Sequence, residues 1–84
     1  MTHSCAAAAN AQLAQARRRL EQHEQVRQVH HDPQNHVVNG PALNIFLAGD
    51  RIGPEICRIV WETDLEIRAF QTKAGGRWAE LLLA

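Results

Sequence analysis

Two spacings of apolar residues divide the chain. Near the N-terminus, apolar residues recur every three or four positions, which places them on one face of a helix. They are Ala6, Ala9, Leu13, Ala16 and Leu20. From Pro33 onward, apolar and polar residues alternate, as they do in half-buried strands. The sequence therefore predicts an α+β fold in one domain, 1–84, with a long N-terminal helix (1–31) packed on a small antiparallel meander sheet (36–84).

The predicted helix covers residues 4–29. It is rich in residue types that lose little side-chain entropy in a helix, and neither Gly nor Pro interrupts it. Asp32-Pro33 ends it, because proline disfavours helical geometry in the residue before it. Val26 and Val29 fall roughly opposite the apolar stripe, so the helix either bends or ends near Glu24, or its far end packs against something else.

The apolar stripe leaves two interpretations open. In the first, Leu13, Ala16 and Leu20 pack on the chain's own sheet. In the second, these three residues are dimerisation residues in a helix–helix contact between two copies. The stripe is too short for a sustained coiled coil, and its small side chains permit a close approach in either case.

Strands and turns alternate in the second part of the chain. Strands are predicted at 36–38, 42–48, 65–72 and 77–83. The turns fall at Asn39-Gly40, 49–53, 63–64 and 73–76.

Residues 54–62 fit two structures. Their β-branched and aromatic side chains favour a strand, whereas Pro54-Glu55 is a good helix opening, and Ile56, Ile59 and Val60 have helical spacing. We favour a strand and keep a short second helix as the alternative.

The string Gly49-Asp50-Arg51-Ile52-Gly53-Pro54-Glu55 resembles the opening of the isocitrate and isopropylmalate dehydrogenases, in which a strand feeds this loop into a helix. Arg51 replaces the middle glycine of that pattern, and the long downstream sequence of the family is absent. We therefore interpret the string as a turn. The resemblance implies a helix over residues 54–62.

Both faces of the predicted sheet carry apolar residues. Phe70 lies on the polar side of its strand, and Leu81-Leu82-Leu83 makes the last strand apolar on both sides. One helix covers only one face, so the other face requires a partner. We predict a homodimer, and a protein partner bound at the sheet face or edge through Arg68, Phe70 and Trp78, since aromatic and arginine side chains anchor many protein contacts.

Composition limits the classes of partner. Nine Lys and Arg balance nine Asp and Glu, which argues against a general binder of nucleic acids or anionic membranes. No apolar run approaches the roughly 20 residues that span a bilayer. Cys5 and Cys57 have no disulfide-type spacing and are interpreted as free thiols in a reducing compartment, so the expected location is cytoplasmic.

Four histidines are weak metal-ligand candidates: His23, His30, His31 and His36. Zinc or nickel requires three or four convergent ligands, and adjacent His30 and His31 cannot point the same way. We favour a solvated helix end, with neither a metal nor another cofactor bound.

Arg17-Arg18-Arg19 suggests nucleic-acid contact, but three consecutive helix residues spread over about 200°. A solvated charged face is favoured over a stripe of positive charge.

Catalytic patterns are weak. Cys57 lies between Ile56 and Arg58, as a core or sheet thiol would, and all five histidines fall in the first 36 residues. Trp61 and Trp78 are interpreted as core anchors. The sequence thus predicts a small non-enzymatic interaction or regulatory protein, with metal or nucleic-acid binding as the alternative.

Overall fold

A computed structural model describes the backbone of residues 3–84 and the side chains from Asn10 onward. In this part of the chain the helices are α1 (His3–Glu21) and α2 (Pro54–Glu62), and the strands are β1 (Val26–Asn35), β2 (Gly40–Ala48), β3 (Ile67–Lys73) and β4 (Trp78–Leu83). A short 3₁₀ turn, Ala74–Gly76, joins β3 to β4. The side chains of Cys5, Ala6 and Ala9 lie outside the described residues.

The strands form one antiparallel sheet in the order β1-β2-β4-β3. Helix α2 carries the chain from β2 to the far edge, and β4 then returns between β2 and β3. The predicted α+β fold, with an N-terminal helix and an antiparallel sheet, is confirmed. The predicted meander is wrong, because β2 and β3 are consecutive strands but not neighbours.

The core lies between the two helices and the sheet face that they cover, called here the inner face. The largest fully buried side chains come from both helices and from the two central strands; they are Leu20, Leu43, Ile45, Leu47, Ile56, Leu81 and Leu83. The predicted alternation in β2 is confirmed, since every second residue of this strand enters the core.

The apolar stripe of α1 packs on the chain's own sheet. Leu13, Ala16 and Leu20 are all buried in the core, and α1 packs across β1 and β2. The first of the two interpretations is therefore the one that the structure shows. The dimerisation contact through these three residues stays a prediction; within one copy their side chains are already almost fully buried.

Helix α1 ends at Glu21, well before the predicted end at 31. The chain turns through residues 22–25, and the predicted last turns of the helix form the first part of β1. Val29 pairs with Ile45 of β2 and is buried in the core. Pairing with β2 thus prevailed over local helix propensity, which is a weak preference.

The hairpin turn between β1 and β2 falls at residues 36–39, so the predicted strand at 36–38 is wrong. Asn35 accounts for the turn, because its Oδ1 accepts hydrogen bonds from the backbone N–H groups of Val37 at 2.9 Å and Val38 at 3.3 Å. Asn39 has a φ of 61°, which asparagine tolerates better than most residues.

Residues 54–62 form helix α2, so the favoured prediction of a strand is wrong and the alternative is confirmed. The helix opens on proline and buries Ile56, Ile59 and Val60. Thr63 ends it by donating a hydrogen bond from Oγ1 to the carbonyl oxygen of Ile59 at 2.6 Å. Helical spacing outweighed β-branching because it gathers all three buried residues on one face.

Gln25 joins the turn after α1 to the loop at 49–53. Its Nε2 donates to the carbonyl oxygens of Ala48 at 3.1 Å and Arg51 at 2.7 Å, and its Oε1 accepts from the N–H of Gly53 at 3.3 Å. One side chain therefore fixes the loop that leads into α2.

Replacing Leu20 by Ala should lower the free energy of unfolding by about 3 kcal/mol, because the substitution leaves a cavity in the core. Urea denaturation measures this loss. The unfolding midpoint should be the same at low and high protein concentration, since Leu20 contacts only its own chain. A midpoint that rises with concentration would mean that the stripe also packs between copies.

Gly53→Ala should destabilise the fold by about 1–2 kcal/mol, the range expected for displacing a hydrogen-bonded group. A Cβ at this position would lie 2.8 Å from Gln25 Oε1. Gly40→Ala is the matched control, because a Cβ there meets nothing within 4 Å. Thermal denaturation should show that the Gly53→Ala penalty shrinks in a Gln25→Ala background; an unchanged penalty would contradict this contact.

Candidate protein-binding edge

Strand β3 forms one edge of the sheet and pairs on one side only, with β4, among residues 3–84. None of its seven side chains is buried. Ile67 is 44% exposed and Phe70 is 37% exposed. An edge strand presents unpaired backbone N–H and C=O groups, to which another chain can add a strand.

The β3 edge is regular over most of its length. The pairing with β4 is irregular only between Ile67 and Ala69, and it continues without a break to Lys73. Before the strand, Glu66 and Ala84 exchange backbone hydrogen bonds at 2.9 and 3.1 Å. The regular part of the open edge therefore runs from Ala69 to Lys73.

The opposite edge, β1, is protected. Its pairing with β2 shifts register between Val26 and Gln28, and again between Asp32 and Asn35. Pro33 lies within the second irregularity and has no N–H to donate. The prediction that Asp32-Pro33 stops a helix is therefore wrong, since proline here interrupts an edge strand. Bulges and proline block strand addition. The β1 edge has two register shifts and a proline, whereas the β3 edge has one register shift, near its start.

The apolar side chains of β3 belong to the inner side of the sheet but lie beyond the helices. Phe70 is paired with Leu81, and Ile67 with Leu83; both partners are buried in the core. Helix α1 packs on β1, β2 and α2, at the other side of the sheet. Ile67 and Phe70 are therefore left exposed.

The three predicted partner-binding residues do not form one surface. Trp78 is paired with Lys73 and Ala48 on the outer face, where it lies half-buried with its ring centroid 5.8 Å from that of Phe46. Phe70 lies on the inner side. Arg68 falls in the β3 irregularity, and its Nη1 lies 3.5 Å from Glu66 Oε2.

Sequence reasoning did not identify Ile67 as an exposed residue. The polar residues of this strand, Arg68, Gln71, Thr72 and Lys73, are typical of an edge strand and could have indicated its position. Phe70, by contrast, was selected from the alternation of its strand, and it does lie at the exposed edge.

Helix α2 exposes two residues that were expected to be inside. Trp61 is 84% exposed, so its interpretation as a core anchor is wrong. Cys57 is an exposed free thiol rather than a core thiol. The side of α2 towards α1 is held by Arg19 Nη2, 2.6 Å from Glu62 Oε1, and by His23 Nε2, 3.0 Å from Glu55 Oε2.

The outer face is less apolar than its sequence suggested. Leu82 is buried although it faces this side, and it lines a concave surface together with His36 and Val37 of the hairpin turn. Phe46 and Trp78 are half-buried. Of the exposed large apolar residues in the described part of the chain, Val37 borders this concave surface, whereas Trp61, Ile67 and Phe70 lie elsewhere.

The histidines are dispersed. His23 lies after α1, His30 and His31 are consecutive in β1 and therefore point to opposite faces, and His36 is in the hairpin turn. Among the side chains from Asn10 onward, no group of three His, Cys, Asp or Glu residues is close enough to hold a metal ion. His23 Nδ1 accepts a hydrogen bond from the N–H of Gln25 at 3.1 Å, which assigns this imidazole to local structure.

Comparison with known proteins adds no assignment. The chain matches no protein-family model, no curated protein and no solved structure. Within the described residues, neither helix is long and apolar enough to cross a membrane.

Hydrogen exchange should distinguish the two sides of β3. Amide protons of β3 that point away from β4 should exchange at least about tenfold faster than those of β2, because solvent reaches an unpaired edge without global unfolding. Exchange measured by NMR on the isolated chain provides the rates. Equal protection of all β3 amides would show that another chain already covers this edge.

Proposed function

We infer that this chain is a small non-enzymatic interaction protein that binds an extended segment of another protein along the free edge of β3. The observation that supports this proposal is a strand edge, regular from Ala69 to Lys73 and unpaired among the described residues, that exposes Phe70 and, at its start, Ile67. An added strand gains main-chain hydrogen bonds there, while contacts with alternate side chains provide selectivity. Phe70 is the natural apolar anchor.

The charges on β3 indicate the chemistry of the partner. Arg68 and Lys73 are the charged residues of the strand, and both are positive. Opposite charges across two strands contribute roughly 0.2–1 kcal/mol per pair, and like charges oppose pairing. A segment with Asp or Glu opposite these two positions is therefore favoured over a basic one.

A second copy of the chain is the alternative occupant, as in the predicted homodimer. Two β3 strands related by a two-fold axis through Phe70 would set Arg68 of each copy opposite Thr72 of the other, next to its Lys73. This arrangement brings positive charges together, so the self-pairing is weaker than pairing with an acidic segment. The proposed partner is accordingly a different protein.

Site-specific photo-crosslinking tests the proposal in the host cell. A crosslinking amino acid at position 70 should capture one protein, and the same amino acid at Gln28 on the protected edge should not. Both positions are exposed, so accessibility is matched. The crosslinked peptide should come from an extended acidic segment of the captured protein.

Phe70→Glu should abolish this capture, because it removes the apolar anchor and adds charge repulsion, whereas Gln28→Glu should leave it unchanged. Co-purification with the captured protein is the readout. Both substitutions are at exposed sites and should change stability by no more than about 1 kcal/mol. Capture that survives Phe70→Glu, or crosslinks solely between two copies of this chain, would overturn the proposal.

A further inference from the structure

The backbone hydrogen bonds around β4 show which peptide groups of the sheet point towards β3. Glu66 and Ala84 each donate an N–H to the carbonyl oxygen of the other, at 2.9 and 3.1 Å. In an antiparallel ladder, such hydrogen-bonded pairs alternate with pairs that exchange no bond. On the opposite side of β4, the N–H of Gly49 donates to the carbonyl oxygen of Arg77 at 3.0 Å. Arg77 thus faces β2 and Ala84 faces β3, as alternation requires for an odd and an even position.

The same alternation assigns the peptide groups of β3 itself. The even-numbered residues of β4 bond to β3, and their partners there are Ala69, Gln71 and Lys73. Phe70 and Thr72 pair with odd-numbered residues of β4, so their own N–H and C=O groups point away from it. Their side chains lie on the inner side of the sheet, because their partners on β4 belong to the core.

A segment added at this edge must match the exposed peptide groups. Antiparallel addition continues the existing sheet, and antiparallel pairing is slightly more stable per residue than parallel pairing. The two partner residues opposite Phe70 and Thr72 then exchange N–H and C=O bonds with them. The partner residue between these two directs its N–H to the far side. Only alternate positions of the partner therefore require a backbone donor.

The side chains of the partner are also assigned to faces. The two residues opposite Phe70 and Thr72 lie on the inner side, one directly opposite and one diagonal to the phenyl ring, which is 37% exposed. Both distances are within reach of an aromatic side chain, so apolar residues are favoured at these positions.

Lys73 sets the preference on the outer face. It pairs with Trp78, whose ring lies on that face, and it forms no ion pair among the described side chains. The partner residue opposite Lys73 lies on the outer face as well. An acidic residue is favoured there, because opposite charges across two strands stabilise pairing.

We propose that β3 selects an antiparallel segment with the order acidic residue, apolar residue, any residue, apolar residue. The acidic residue lies opposite Lys73, the first apolar residue opposite Thr72 and the second opposite Phe70. Both apolar residues also donate their backbone N–H, so proline is excluded at these two positions and accepted between them. This inference rests on the function proposed above, to which it adds the sequence pattern of the partner.

A synthetic peptide, acetyl-Ser-Glu-Val-Thr-Val-Ser-amide, tests the pattern on the full chain. Followed by NMR, its binding should slow exchange of the Phe70 and Thr72 amide protons. Exchange at Ala69 and Gln71 should not change, because these amides already bond to β4.

Methylation of single peptide nitrogens tests which donors are used. An N-methyl group on either valine should weaken binding at least about tenfold, because it removes a donor and places a methyl group against β3. An N-methyl group on the threonine between them should change the affinity by less than about threefold, since this nitrogen loses no hydrogen bond to β3.

A proline in β3 provides the reciprocal test. Thr72→Pro removes an outward N–H without breaking a bond to β4, so the chain should stay folded and bind the peptide at least about tenfold more weakly. His31→Pro is the matched control on the β1 edge. His31 pairs with Leu43, which bonds to β4 through Leu83, so its N–H also points away from the sheet. This control should leave the affinity unchanged, and circular dichroism checks that both variants are folded.

Two results would refute the pattern. They are the absence of saturable binding of the unmodified peptide and equal affinities of the three N-methylated peptides. Both are measured on the unaltered chain, so they decide the question even if Thr72→Pro does not fold. A failure of the proposed function has a different signature, because crosslinking at position 70 would then capture no protein. Capture of a segment that lacks this pattern would refute the pattern and keep the β3 edge as a binding site.

Discussion

Coverage of one sheet face by two helices determines the rest of this structure. The central strands β2 and β4 send their alternate residues under α1 and α2, and these residues supply most of the fully buried side chains. The outer strands are treated differently. β1 lies against α1 and buries Val29, whereas β3 has no buried residue. The exposure of the Ile67 and Phe70 side chains is thus a consequence of where the helices lie, whereas the open backbone edge follows from the position of β3 at the end of the strand order.

Apolar burial rather than ion pairing positions α2. The contacts of Glu62 with Arg19 and of Glu55 with His23 involve exposed carboxylates, and such pairs contribute about 0–1 kcal/mol. Burying a large aliphatic side chain contributes about 1.5–3 kcal/mol, and Ile56, Ile59 and Val60 are all buried. The buried apolar residues therefore hold α2 beside α1. The ion pairs only help to orient it.

The parts of the fold that were predictable are those in which local pattern and tertiary environment agree. β2 and β4 show period-two alternation and are central strands, so their strands were predicted from sequence. β1 and α2 were not, because pairing with β2 overrode the helix propensity of residues 26–31, and helical spacing overrode the β-branching of Ile56 and Ile59. The order of the strands depends on long-range pairing, so the polar residues of β3 alone could not identify it as the open edge or show that Ile67 is exposed.

The balanced net charge of the chain conceals how its charges are distributed. Several acidic residues form ion pairs within the chain, as Glu21 does with Arg17 and Glu62 does with Arg19. Among the described side chains, the cations without an ion pair lie on separate parts of the fold: Arg18 on α1, Arg27 on β1, Arg58 on α2, Lys73 on β3 and Arg77 after the 3₁₀ turn. They do not form the extended row of cations that a nucleic-acid backbone requires. The β3 edge carries few positive groups, which is why the partner proposed for it is a peptide segment with one or two carboxylates.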